Sequence, residues 1–148
     1  MRILFDTNVV LDVLLDREPF SSTAAKLFSK VESGEIAGYV CATTITTIHY
    51  LACKVIGVDS AMDEIVKLMK LFEVAPVNRA VLETAVSSGF KDFEDAVLHE
   101  SALYKEAQGI VTRDRKGFTK SKIHIYSPEE LLLMLDSKGT STNQKSIN

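Results

Sequence analysis

Short apolar runs alternate with longer segments of helical period along most of this chain. Arg2 to Phe5, with Ile3-Leu4-Phe5 unbroken, predicts a strand buried on both faces. Val9, Val10, Leu11 and Leu14 recur near helical spacing and predict a short helix to Leu15, broken by Arg17-Glu18-Pro19. Ser21 or Ser22 is placed to cap a helix running to about Glu32, before Gly34. Gly38 to Ala42 predicts a strand, and Thr43 or Thr44 a cap for a helix through Val55 that Gly57 closes. Asp59 or Ser60 opens a further helix, with Ile65, Leu68, Met69 and Phe72 on one face. Val74 to Val77 is a strand candidate, and Pro76 places it at an edge or a strand end. Asn78 caps a helix to Ser88, and a helix from Phe93 to Gln108 is expected to stop at Gly109. Strands follow at Gly109 to Thr112 and Ile123 to Tyr126. Ser127-Pro128-Glu129-Glu130 then opens a helix, with serine at the cap, proline first and acids in the first turn. Strands alternating with helices imply an α/β domain on a mostly parallel sheet.

The apolar content, 46% of 148 residues, suits one domain with a real core, expected over residues 1–136. From Ser137 to the end the chain is polar, and residues 137–148 are expected to be a disordered tail. The net charge of −3 excludes a strong global field for nucleic acid, but not a nuclease whose acids hold a metal. Cys41 and Cys53 are too few for a disulfide framework and are expected as buried, reduced thiols. No stretch is apolar enough to span a membrane, and no leader-like segment precedes Asp6, so a cytoplasmic protein is expected.

The chemistry gathers at the ends of strands. Asp6 follows the first apolar run, with Thr7-Asn8 after it, and Asp114 closely follows Ile110-Val111-Thr112. In an open parallel sheet, ligands bind beyond the carboxyl ends of the strands, so neighbouring strands would bring both acids to one edge. Asp92, Glu94 and Asp95 start the helix between them, and Asp92 and Asp95, three apart, share a face. Carboxylates so gathered repel unless a proton or cation intervenes, and oxygen ligands favour Mg²⁺ or Mn²⁺. Asp6, Asp95 and Asp114 are therefore the candidate catalytic and metal-holding residues, with Asp92 beside them. Thr7, Asn8 and Thr112 could orient carboxylates or waters. Singly, each acid serves equally well as a helix cap or a loop charge. His49 and Cys53 have the spacing of a soft metal pair, but no further zinc ligand stands nearby. His99, one turn beyond Asp95, is expected at the surface or the edge of the core.

Three segments in order, Phe5-Asp6-Thr7-Asn8-Val9-Val10-Leu11-Asp12, Asp92-Phe93-Glu94-Asp95-Ala96 and Ile110-Val111-Thr112-Arg113-Asp114, resemble the PIN-domain ribonucleases. The likeness is greatest to toxins of the VapC type and reaches to about Leu135. It implies a three-layer α/β/α sandwich and cleavage of RNA with Mg²⁺ or Mn²⁺. It also implies a small antitoxin partner and homodimers. Asp6, Asp95 and Asp114 fall on the family's acidic positions. One departure stands out: the family's further acid, early in the helix after the second strand, is matched here by Thr47. Asp12 or Asp92 could compensate in part, or both could be solvated. Arg113, Arg115 and Lys116, with Lys120 and Lys122 beyond them, could hold an RNA backbone or be solvated loop charge. The alternative function is a PIN-like RNA- or protein-binding module that lost turnover through Thr47. A phosphatase of another α/β fold is weaker, because its pattern wants an acid where Asn8 stands.

Overall fold

The computed structural model describes the backbone of residues 1–145 and the side chains of residues 1–139. Five strands form one parallel sheet in the order β3-β2-β1-β4-β5. These are β1 (Arg2–Phe5), β2 (Ala37–Cys41), β3 (Glu73–Ala75), β4 (Gly109–Val111) and β5 (His124–Tyr126). The helices are α1 (Thr7–Leu14), α2 (Ser21–Glu32), α3 (Ala42–Ile56), α4 (Val58–Leu71), α5 (Arg79–Val86), α6 (Phe93–Tyr104) and α7 (Pro128–Lys145). A 3₁₀ turn, Arg115–Phe118, lies between β4 and β5.

β1 sits at the centre, and its alternating side chains feed two cores. Ile3 and Phe5 join Val9, Leu27, Ile48 and Leu131 on one face. Leu4 joins Cys41, Leu98, Ala102 and Ile110 on the other. Helices on both faces of the sheet make the three layers. Phe5, Phe28 and Phe72 meet edge to face, with ring centroids 5.0–5.9 Å apart, each pair contributing about 0.5–1.5 kcal/mol beyond its burial. Gly38 lets Phe72 reach the sheet, since a Cβ there would stand 2.7 Å from that ring.

β3 lies at the sheet edge and ends before Pro76, as the proline required. Asn78 caps α5 by accepting the Val81 N–H, and Ser127 accepts the Glu130 N–H in the first turn of α7. Other starts differ from expectation. α2 begins at Ser21 itself, whose hydroxyl turns back to Glu18. α3 begins at Ala42, leaving the Thr44 hydroxyl free for a tertiary contact. α4 follows directly on Gly57, which takes a positive φ of 85°. Gly109 is not the stop of α6. That helix ends at Tyr104, with the reversal made by Glu106 at φ 56°, and Gly109 opens β4 under the Tyr126 ring. α7 continues to Lys145, across the boundary expected at Ser137, whose hydroxyl bonds back to Leu133 O. The rest of the expected tail, residues 146–148, lies outside the described residues.

Candidate active site

β1 and β4 are adjacent and parallel, with Phe5 opposite Val111. The chain leaves β1 towards β2 on one side, while β4 lies on the other. Their carboxyl ends therefore border a crevice at the topological switch point. Asp6 stands in it as the N-cap of α1. Its Oδ1 accepts the Thr7 N–H at 2.7 Å, and its Oδ2 accepts the Thr112 hydroxyl at 2.8 Å. Thr112 is fully buried, and its oxygen also accepts from Asn8 Nδ2 and the Asp114 N–H. Since its one proton goes to Asp6, Thr112 fixes that carboxylate and positions Asp114 together. Asn8 Oδ1 accepts the Arg113 N–H at 3.3 Å, closing the link between the two strand ends. The expected supporting residues thus form one network. Thr7 extends it to α3 through a 3.0 Å contact with the Thr44 hydroxyl, a residue the sequence had offered only as a cap. Thr47 is half-buried and lies three residues on from Thr44, on the same face of α3.

α6 brings the third acid. Asp92 caps this helix, its Oδ1 accepting the Asp95 N–H at 3.0 Å, so one oxygen of this candidate metal ligand is already engaged. A Cβ at Gly117 would collide with the Asp95 carboxylate and come within 3.8 Å of Asp114 Oδ2, so the 3₁₀ turn closes directly over these acids. Burial raises the Asp95 pKa most, followed by the charges of Asp92, Asp6, Asp114 and Glu94, to about 7. Burial likewise raises Asp6, with Glu94 and Asp114 adding to it and the bonds from Thr112 and Thr7 opposing it. Glu94 acts on both acids. The sequence could not single it out, because its neighbour Asp95 points along a different line of the helix.

A carboxyl whose folded pKa lies above its unfolded value destabilises the fold wherever it is ionised. That cost is relieved as pH falls through the folded pKa. The metal-free protein is therefore expected to gain stability as pH falls from about 8 towards 5. Asp95→Asn should flatten this rise, which solvent screening holds to about 1–2 kcal/mol. Melting curves in a chelator across that range check it, and an unchanged slope in the variant would show that Asp95 is not the source.

Other candidates lie elsewhere. Asp12 is neither solvated nor part of the acid cluster. It is fully buried, with Arg17 Nε at 2.9 Å and Arg113 Nε at 2.7 Å. The Arg113 guanidinium, expected to meet a nucleic acid, is held by Asp12 and stacks on Phe20 at 3.9 Å. Arg115 pairs with Glu130 at 3.1 Å, whereas Lys116 lines the cleft beside Asp95 and Asp114. His99 is buried, not at the surface. Its Nε2 accepts the Lys122 N–H, its Nδ1 faces Glu100, and burial lowers its pKa. Cys41 is buried, but Cys53 is partly exposed, its Sγ 3.5 Å from His49 Nε2. Among the described residues, no three acid, histidine or cysteine side chains converge as they stand to hold a metal. The donor chemistry at the crevice nevertheless suits a hard divalent ion: the groups are all oxygen, and two acids are raised by burial first and by neighbouring like charge in addition.

Acids drawn from β1, β4 and α6 to the switch point of an all-parallel sheet define an α/β protein with an acidic crevice. The profile of the PIN domain matches residues 2–116, and the chain belongs to that family. A curated relative, Ribonuclease VapC1 of Aquifex aeolicus (strain VF5), is 23% identical over 134 residues, 87% of this chain and 92% of its own. The fold matches VapBC-1 from nontypeable Haemophilus influenzae with a TM-score of 0.67 at 15% identity, over 87% of this chain and 99% of that one. A toxin–antitoxin complex from Klebsiella pneumoniae gives 0.66 at 19% identity, over 85% and 97%.

Proposed function

We propose that the protein is a Mg²⁺- or Mn²⁺-dependent endoribonuclease acting in the cytoplasm as the toxin of a toxin–antitoxin pair. What supports this reading is that Asp6, Asp95 and Asp114 act on one another electrostatically beside the β1–β4 crevice, with Thr112 bonded to the Asp6 carboxylate and to the Asp114 N–H. The ribonuclease named among the relatives supports the reaction class, and the toxin–antitoxin complex among the similar folds supports the partner. Asp6, Asp95 and Asp114 would hold the cation, with Asp92 at its margin. Bound there, the cation supplies charge for the phosphate oxygens and acidifies an attacking water. The chain's own part is orientation. The Thr7 N–H and Thr112 hydroxyl hold Asp6 in one rotamer, Asn8 ties the loop after β4 to α1, and the Gly117 turn shields Asp95.

An antitoxin and a second copy of the chain belong to the same reading. Tyr50, Val58, Met62, Val66 and Met69 on α3 and α4 are exposed apolar side chains that a partner could cover. No helix among the described residues is long and apolar enough to cross a membrane. A panel of mixed RNAs incubated with Mg²⁺, Mn²⁺ or a chelator tests the activity. Cleavage that persists in the chelator, with contaminating nuclease excluded, would overturn the metal-dependent reading.

Thr47 bears on the strength of the site. A neutral hydroxyl contributes far less to a hard divalent ion than a carboxylate does. Thr47→Glu is expected to tighten Mn²⁺ binding about tenfold, the charge gained being partly offset by its desolvation. Calorimetric titration of both proteins reads this directly. Unchanged affinity would place the missing acid's role on another residue.

A further inference from the structure

The cations near the acid cluster fall into two groups. Arg113 and Arg115 are already paired, with Asp12 and Glu130. Lys91, Lys116, Lys120 and Lys122 are exposed and form no ion pair among the described residues. Their placement is not scattered. Lys91, Lys116 and Lys120 line the cleft of about 540 Å³ that also contains Asp92, Asp95 and Asp114. Phe90 and Lys120 line this cleft and also a second one of about 230 Å³, whose wall carries Ser87, Ser88 and Lys122. The two clefts therefore meet at Phe90 and Lys120.

The meeting point is built. Gly89, at φ 77°, leaves room for Lys120 to lie across it, since a Cβ there would stand 3.1 Å from Lys120 Nζ. The Phe90 ring is set against His99 at 4.9 Å and edge-on to Phe118 at 6.2 Å. His99 Nε2 in turn accepts the Lys122 N–H at 3.1 Å, which ties the loop bearing these lysines to α6. A fixed aromatic ring flanked by unpaired ammonium groups is what an unpaired nucleotide strand requires. The lysines meet phosphates, and the ring offers a face to any base.

We propose that one RNA strand follows these two clefts away from Asp95 and Asp114, with its phosphates on Lys116, Lys120 and Lys122 and a base stacked at Phe90. The path rests on the ribonuclease reading for its reacting end. A paired strand keeps its bases stacked on one another, so Phe90 favours an unpaired one. The protein's net charge is −3, so attraction comes from these local cations and not from a global field.

Fluorescence anisotropy of the full chain in EDTA, with a short labelled single-stranded RNA and a duplex of the same sequence, reads binding apart from cleavage. Lys116→Ala and Lys120→Ala are each expected to weaken single-strand binding about three- to tenfold and to lower the salt slope by about 0.7. Phe90→Leu should cost the single strand about fivefold or more and leave the duplex within about twofold. Lys26→Ala, on the exposed side of α2, should change nothing. If Phe90→Leu fails to fold, the two salt slopes decide alone. The path is overturned if wild type does not bind the single strand, if the groove variants bind as wild type does, or if Lys26→Ala weakens binding equally. Cleavage that survives with groove variants unaffected removes the path and leaves the ribonuclease. Groove-dependent binding without any cleavage does the reverse.

Discussion

Asp6→Asn is expected to lower RNA cleavage by on the order of 10²–10³-fold or more while the fold persists. Among the described residues, Asp6 is the one acid of the cluster fixed by two donors, the Thr7 N–H and the Thr112 hydroxyl. Asparagine keeps an oxygen for the Thr7 N–H, so helix α1 keeps its start, while the bond from the Thr112 hydroxyl is given up, since that oxygen already accepts from Asn8 and the Asp114 N–H. What disappears is the charge that would hold the cation. Because burial and neighbouring acids already raise the Asp6 pKa, the ionised form is unfavourable without metal. The variant should therefore melt in EDTA at the same temperature as wild type or higher. Single-turnover cleavage in Mn²⁺ and melting in EDTA, taken together, decide this. Equal cleavage would remove Asp6 from the reaction, and a lower melting temperature would make the loss structural.

Asp12→Ala is expected to be the most destabilising single change near the site, at about 3 kcal/mol. Asp12 is completely buried and neutralises two guanidinium groups. Truncating one partner of such a group leaves charge uncompensated, which costs about 3–5 kcal/mol when fully buried. The lower end applies because Arg17 and Arg113 reach solvent. Asp12 also joins α1 to the residue preceding Asp114, so activity should fall with stability through displacement of that acid. Urea unfolding of Asp12→Ala, Arg113→Ala and the double variant measures the coupling. Strictly additive losses would show that the pair acts independently.

Asp12 also shows where reading the chain residue by residue stops. Six positions after Asp6, it had the appearance of a spare ligand or a solvated charge. Nothing local marks it as the partner of Arg113, a hundred residues away in sequence. Lone charges do not reveal burial, because burial is set by what the rest of the chain lays over them. His99, expected at the surface or the edge of the core, is buried for the same reason. Its helix carries acids in the first turn and apolar residues beyond, but the Lys122 loop that covers it arrives from another part of the fold. Arg113, Arg115 and the lysines beyond them read alike in the sequence, as phosphate cations or solvated loop charge, and only the structure shows the two arginines paired with Asp12 and Glu130.

The strand runs, the Asn78 and Ser127 caps, the edge position forced by Pro76 and the parallel sheet were legible in the sequence, because local propensity and burial pattern agree there. So were the places of the acids, Asp6 and Asp114 after strand runs and Asp95 in the first turn of a helix, since a switch of period beside a carboxylate is a local signal. Tertiary structure alone decided that β1 and β4 are neighbours, and hence that Thr112 reaches Asp6 and that Glu94 presses on both Asp6 and Asp95. It also decided which cations remain free. Periodicity reports which face of an element is buried but not which element covers it, and charge pairing depends on that second fact.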